Sequence, residues 1–575
     1  MSMRSSAHYF VEGLTGLGID YIFSNFGTDH VSLIEAFAQW KKEGRAHPTV
    51  MLVPHENVAM HMAMGYAAVT GKGQAVMVHV DAGTANAAMG MHNMFRTRIP
   101  VMLMAGRSPY TLRGELPGSR DNYVHFVQDP FDIASLVRPY VKWDYSLPTG
   151  VVAKEVLRRA HSVMQSDPPG PVYLTLPREV LAEEWEADRI RDFSGEHYGA
   201  VQAGGVTPAV AEAIASRLMA AREPIVITSY VGRKAEAVHA LEKLAMLCGI
   251  KVYEFSPTTI SVSRESPCFG GFDPGKALAG ADLGLLLDVD VPWLPKYAHE
   301  DPSTEWIHVD VDTIKKDFPM WGFRTDMRIQ ADCATVLQQV SEIVEQRADD
   351  AFRQTVAARI EGWEGANTQR RLAVANVAQD IGTKGAISPA HVCATLGKLI
   401  APTDIVVNEA VRNTFAVLNQ IPRTEPLSLL GCAGGGLGYS AGIALGAKLA
   451  KPDARVVQIV GDGGFHFSTP TSVYATAQRY GIPIFTIVLD NSGWQAVKEA
   501  VLRVYPDGAA ADSNDFQARL GVGDNVRAFE QVGAAFGAYG ECIDDPAEVE
   551  AAIARCLQAV DAGQAAVLNV RIGSI

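Results

Sequence analysis

Short apolar, β-branched runs alternate with amphipathic stretches along almost the whole chain. TVMLVP (49–54), QAVMVHV (74–80) and IPVMLMAG (99–106) are apolar on both faces, so they read as buried parallel strands. Glu56–Thr70 and Asn86–Arg96 read as the helices between them. The rhythm continues to GPVYLTLP (170–177) and breaks at an acidic stretch (183–197) and a Gly-Gly pair, Gly204-Gly205, which together read as a linker. A second block carries PIVITSYVG (224–232), KVYEFS (251–256), LGLLLDVDV (283–291) and WIHVDVD (306–312), and fades into a charged helical run, Cys333–Arg359, read as a second linker. The third block holds TDIVVNE (403–409), RVVQIVGDGG (455–464), IPIFTIVLDN (482–491) and AAVLNVRI (565–572). The predicted fold is α/β, with three doubly wound parallel-sheet domains at 1–185, 205–345 and 375–575.

Composition narrows the function classes. The 575 residues include 50 Lys+Arg against 64 Asp+Glu, a net charge of −14, which argues against nucleic acid or an anionic membrane surface as the partner. No apolar run is long enough to span a bilayer, and the first residues show no secretory pattern. Seven scattered cysteines without a CxxC fit neither a disulfide framework nor a zinc ribbon. The expectation is a large cytoplasmic enzyme.

Candidate chemistry concentrates in Arg455–Trp494. A strand runs into Gly461-Asp462-Gly463-Gly464, and a helix then leads to a second strand ending in Asn491-Ser492-Gly493. In a right-handed βαβ unit both strand ends lie on one edge, so Asp462 and Asn491 are expected to meet at a crevice. A carboxylate, an amide oxygen and the Gly493 carbonyl form a hard oxygen site suited to Mg²⁺. Gly461, Gly463 and Gly464 let backbone N–H groups approach a diphosphate at the helix N-terminus. GDG alone also occurs in plain strand-to-helix turns; the Asn at this spacing favours the binding site.

This segment resembles the diphosphate-binding motif of thiamine-diphosphate (ThDP) enzymes of the acetolactate synthase, benzoylformate decarboxylase and 2-hydroxyacyl-CoA lyase superfamily. That motif closes near a double Asn. Here the pair is Asp490-Asn491, which keeps the metal ligand and adds a negative charge beside it. Pro54-His55-Glu56-Asn57, opening a helix, is similar to the family's cofactor-activating glutamate segment, so the resemblance makes Glu56 the residue that bonds the aminopyrimidine N1′. Gly434–Tyr439 resembles the loop beneath the pyrimidine, with Leu437 as the wedge that bends the cofactor and the Gly435 carbonyl receiving its amino group. The resemblance implies pyrimidine-binding, central Rossmann-like and diphosphate-binding domains in that order, and assembly as a homodimer or homotetramer.

The same resemblance bears on the reaction. His79, in HVDAGTAN, resembles a proton-handling histidine of benzoylformate decarboxylase, Thr28 stands in place of its substrate-contacting serine, and His299 is a weaker match to its second histidine. The position of the pyruvate decarboxylases' acid/base glutamate is Val497, preceded by Ala496, which leaves space beside the reacting carbon. A 2-oxo acid decarboxylase is therefore expected. The alternatives are an acetolactate-synthase-like carboligase, which lacks here the segments that accompany FAD, or a lyase of acyl-CoA substrates. Lys498–Asn525 reads as a lid loop, and Glu499 as a solvated helix charge or a proton donor. A non-catalytic relative is disfavoured because Glu56, Asp462 and Asn491 are all present.

Overall fold

The computed structural model describes residues 3–193, 197–520 and 527–573. Three six-stranded sheets account for nearly all of the strand structure. The first contains β1 (Tyr21–Ser24), β2 (Thr49–Leu52), β3 (Gln74–Val78), β4 (Val101–Arg107), β5 (Asp144–Ser146) and β6 (Val172–Pro177), in the spatial order β2-β1-β3-β4-β6-β5. The second contains β7 (Pro224–Thr228), β8 (Lys251–Glu254), β9 (Phe269–Gly271), β10 (Leu283–Leu287), β11 (Glu305–Asp310) and β12 (Met327–Gln330), in the order β9-β8-β7-β10-β11-β12. The third contains β13 (Ile405–Glu409), β14 (Leu429–Leu430), β15 (Val456–Gly461), β16 (Phe485–Asp490), β17 (Tyr539–Ile543) and β18 (Ala566–Arg571), in the order β14-β13-β15-β16-β18-β17. All pairings within these sheets are parallel. Such strands are covered on both faces, so β3, β6 and β16 are buried along their whole length.

The first and third sheets are wired alike: each reads 2-1-3-4-6-5 in its own numbering. They dock through the helices Glu56–Thr70 and Ser440–Ala450, which cross closely because small residues face each other. A Cβ on Gly442 would lie 2.5 Å from the His61 Cβ, and one on Gly446 would strike the Met62 carbonyl. The middle sheet joins the first through charge. Arg98, at the left-handed C-cap of the helix Val80–Thr97, reaches Asp310 at 2.6 Å and Asp290 at 3.0 Å, while buried Lys315 holds both acids at 2.7 Å. These ions lie at the C-terminal ends of β10 and β11 and compensate one another there.

Several sequence boundaries move. The acidic stretch does not run free, since Glu184–Glu186 pairs antiparallel with Met3–Ser5; its residues 194–196 lie outside the described residues. The charged run Cys333–Arg359 is helical as expected but broken in two, Cys333–Arg347 and Asp350–Gly362, and a further helix, Glu364–Val377, follows it. The first packs into the middle domain through Val336, Leu337, Val340 and Val344. The helix expected from Asn86 starts at Val80, because Gly83 fits between Val78 and Glu56, where a Cβ would sit 3.2 Å from Glu56 Oε1. No helix among the described residues is long and apolar enough to cross a membrane, and all seven cysteines are free thiols.

Candidate active site

β15 and β16 pair in parallel with Gly461 opposite Leu489, so the residues that follow each strand emerge side by side. They line a pocket of about 300 Å³ that gathers Leu437, Gly461, Asp462, Gly463, Gly464, Asn491 and Gly493. Ala496 and Val497 also line it, whereas exposed Gly435 does not. Asp462 opens a short helix and is 2 % exposed. Its Oδ1 accepts from Gly463 N at 2.8 Å, and its buried Oδ2 has no partner among the described residues. Burial, reinforced by Asp490, pushes its carboxyl up to about 7. A bare carboxylate oxygen held in this way fits a hard divalent cation, with Asn491 and the Gly493 carbonyl as companions. Among the described residues no group of three or more His, Cys, Asp or Glu is gathered for a metal, so any cation here draws on amide, backbone, phosphate and water oxygens as well. Two of the glycines are required sterically: a Cβ on Gly463 would sit 2.8 Å from Trp494 Nε1 on the pocket wall and one on Gly464 2.8 Å from Val460 Cγ2, whereas one on Gly461 would meet nothing.

The added charge of Asp490 is answered. The residue is fully buried and accepts from Arg527 Nε at 2.9 Å and from Arg571 Nη1. Glu409, at the end of β13, was not singled out by the sequence reading. It is 1 % exposed and accepts hydrogen bonds from Gly438 N, Ser440 N and Ser440 Oγ, which fixes the turn that carries Leu437. Burial outweighs those bonds and pushes its carboxyl up to about 7. A glutamate closing the apolar run IVVNE was the available signal.

The other residues singled out lie in the N-terminal domain. Glu56, 8 % exposed, opens its helix and accepts from Asn86 Nδ2 through Oε2 at 3.1 Å, leaving Oε1 without a partner among the described residues. His79 follows β3, and its Nδ1 donates to buried Asp29 at 2.5 Å while Nε2 faces Gln128 Oε1 at 3.2 Å. With an acceptor at each nitrogen, and the Asp29 bond foremost, the His79 pKa is raised. Burial would lift the Asp29 carboxyl, but His30 and His79 together hold it well below the usual carboxylate range. Two glycines permit this contact: a Cβ on Gly27 would overlap the His79 ring, and one on Gly106 the Asp29 carboxylate. Thr28 Oγ1 lies 3.4 Å from His125 Nε2. Asp29, His125 and Gln128 escape a sequence reading because 49 to 97 positions separate them from their partners.

The chain thus holds two clusters, and no N-terminal residue lines the Asp462 pocket. Each cluster has a β-branched residue at positive φ, Val80 (31°) beside His79 and Val411 (44°) on the pocket wall, where backbone strain is least expected without a role. The loop around Gly435 is tied to its own N-terminal domain by Asn93 Nδ2, which donates to the Gly436 carbonyl at 2.9 Å. His299 is exposed in the middle domain and joins neither cluster. Glu499 is not free, since it pairs with Arg412, which lines the pocket. The stretch expected as a loop continues a helix, Gln495–Val504, and a second helix follows at Ala509–Ser513. It returns to pair Arg519 with Gly493; residues 521–525 lie outside the described residues.

Comparison with known proteins places both outer domains in one family. Residues 4–136 match the thiamine pyrophosphate enzyme N-terminal TPP binding domain, and residues 412–570 match the C-terminal TPP binding domain. The chain belongs to the thiamine pyrophosphate enzymes. Within that class it is 25% identical to the acetolactate synthase isozyme 3 large subunit of Escherichia coli, over 97% of this chain and 93% of that protein. It is 26% identical to the benzoylformate decarboxylase of Pseudomonas aeruginosa, over 89% of this chain and 90% of that protein. A ThDP-dependent 4-hydroxybenzoylformate decarboxylase from Rhodococcus jostii has the same fold, with a TM-score of 0.78 at 19% identity and full coverage of both chains.

Proposed function

We propose that this enzyme uses ThDP and Mg²⁺ to cleave the C–C bond between the carboxylate and carbonyl of a small 2-oxo acid, in the manner of a benzoylformate decarboxylase. The observation that carries the reading is His79, held by buried Asp29 with its pKa raised, Asp29 being next in the chain to Thr28. The cofactor, when bound, supplies the electron sink for the bond that breaks. Asp462, Asn491 and the Gly493 carbonyl hold Mg²⁺, and the glycines at 461, 463 and 464 present backbone to the diphosphate. Leu437 would set the cofactor's conformation, and the Gly435 carbonyl would receive its amino group. Glu56 keeps a proton at N1′ through its free Oε1. His79 delivers a proton to the carbon that has lost CO₂, and Thr28 orients the carboxylate. Ala496 and Val497 leave room for a bulky substituent.

Division of labour follows the three domains: 1–185 for the pyrimidine and the protons, 205–345 as the central Rossmann-like unit, and 375–575 for diphosphate and metal. Because the Asp462 pocket takes no wall from the His79 cluster, we infer a cytoplasmic homodimer or homotetramer in which the N-terminal cluster of one copy faces the pocket of another. A second reading, an acetolactate-synthase-like carboligase without FAD, is favoured by the near full-length likeness to acetolactate synthases.

The test is CO₂ release from benzoylformate and from pyruvate, offered separately with ThDP and Mg²⁺, with the organic product identified. Benzaldehyde supports the decarboxylase. Acetolactate from pyruvate replaces it with the carboligase, and silence on both with cofactor bound points to 2-hydroxyacyl-CoA substrates.

A further inference from the structure

A separate cavity lies between the middle and C-terminal domains. It has a volume of about 710 Å³ and is bounded by β9, the connecting helix Glu364–Val377, and the helices Pro389–Leu399 and Thr414–Gln420 of the C-terminal domain. It shares no lining residue with the Asp462 pocket. We propose that this cavity binds a small organic anion with a flat aromatic body, an aromatic carboxylate being the simplest member of the class.

The charge balance of the walls carries the argument. Arg264, Arg370, Arg371 and Lys398 line the cavity, against one carboxylate, Glu265. Arg264 is spoken for, with Nη2 2.7 Å from buried Glu254. Arg370 has neither an ion-pair partner nor a hydrogen-bond acceptor among the described residues, although it is drawn in from solvent by Phe269. Its guanidinium lies 4.5 Å from the centroid of that ring, and Arg264 approaches the same ring at 4.7 Å. Two guanidinium groups therefore crowd one aromatic ring. Burial, then Arg371 and Arg264, pulls the Arg370 pKa below the usual arginine value, as expected where positive charges face one another without an anion between them.

A bound carboxylate would relieve that repulsion with charge-assisted, bidentate hydrogen bonds, the geometry a guanidinium fork is built for. The remaining wall sets the body of the ligand. Phe272 lies edge to face against Phe269, whose ring the arginines cover, and Val374 and Leu418 complete an apolar floor against which a planar ring can lie. A cavity of this size holds a ligand of one or two rings, and a polar rim over an apolar floor is the usual composition of a small-molecule site. This inference is independent of the reaction catalysed, since it rests on none of the residues assigned to the chemistry.

4-Iodobenzoate soaked into crystals of the ThDP- and Mg²⁺-loaded enzyme tests it, because the iodine is located by its anomalous signal. The expected result is an iodine peak between Phe269 and Leu418 with the carboxylate on Arg370. In parallel, calorimetric titration should show that Arg370→Ala combined with Lys398→Ala weakens binding about tenfold or more, as loss of charged hydrogen bonds implies, with Arg370→Lys in between. Circular dichroism of the variants guards against misfolding, which is unexpected for side chains without partners. Iodine confined to the Asp462 pocket or the His79 cluster, or unchanged affinity in the double variant, would overturn the proposal.

Discussion

Asp490 and Arg571 stand opposite each other in the ladder between β16 and β18, and their side chains form an ion pair beside the candidate metal site. Arg527 supplies a second cation, so the carboxylate that replaces the family's first asparagine is held by two arginines. With Asp462 counted, two acids and two bases balance. Arg571→Met leaves buried Asp490 half compensated and is expected to cost about 3 kcal/mol. The measurement is a urea unfolding curve with Mg²⁺ absent; an unchanged midpoint would show that Arg527 alone suffices.

Glu56→Gln keeps the Asn86 contact but removes the carboxyl that handles the proton. Turnover should fall about a hundredfold or more, with circular dichroism unaltered. Activity at the wild-type level would remove Glu56 from the proposed site.

Chelation addresses the metal separately. Dialysis against EDTA should abolish ThDP retention, readdition of Mg²⁺ should restore it, and Asp462→Ala should make the loss permanent. ThDP retained as well without metal as with it would mean that the Asp462 pocket works without a cation.

The His79–Asp29 pair gives stability a pH dependence whose sign follows from both shifts. The His79 pKa is raised, so its contribution is full below about 6.5, the unfolded value, and is lost as pH rises through the folded value. Asp29 is depressed, so its contribution is full above about 3.9 and is lost as pH falls toward its folded value. Stability from the pair is therefore greatest between these limits and declines on the alkaline side. Asp29→Asn should flatten the alkaline decline in unfolding curves between pH 6 and 9, and should move the alkaline limb of the rate profile to lower pH. A limb that stays in place would detach His79 from the chemistry.

Glu409→Ala removes the acceptor of two backbone N–H groups and leaves them buried, at a cost of about 2 kcal/mol or more. Because that turn carries Leu437, the ThDP concentration needed for half activity should rise as well. A stability loss without any change in ThDP requirement would separate Glu409 from cofactor binding.

The strands and the Asp462–Asn491 crevice were readable because both are local. A doubly apolar run of five or six residues signals a covered strand, and a βαβ unit dictates where its two ends meet. What stayed hidden was set by tertiary contact. Charged positions in Cys333–Arg347 masked the Val336, Leu337, Val340 and Val344 stripe that makes it a packed helix. The Asp29 carboxylate is 2.5 Å from the His79 ring although the two residues are 50 positions apart in sequence, with nothing in its own surroundings to mark it. The two arginines that answer Asp490 come from the far side of the helix Val549–Asp561 and from a segment before it, so no motif could announce them.

The shared wiring of the two outer sheets has a consequence for how such a site arises. A chain that repeats one strand order at both ends has, in effect, the same edge to work with twice. In the proposed site one edge serves the protons, with Glu56 and His79, and the other an anion and its counterion, with the glycines and Asp462. The middle sheet, strung in a different order, keeps the twin modules in one polypeptide. Each twin can therefore be altered for its own task without rewiring the other.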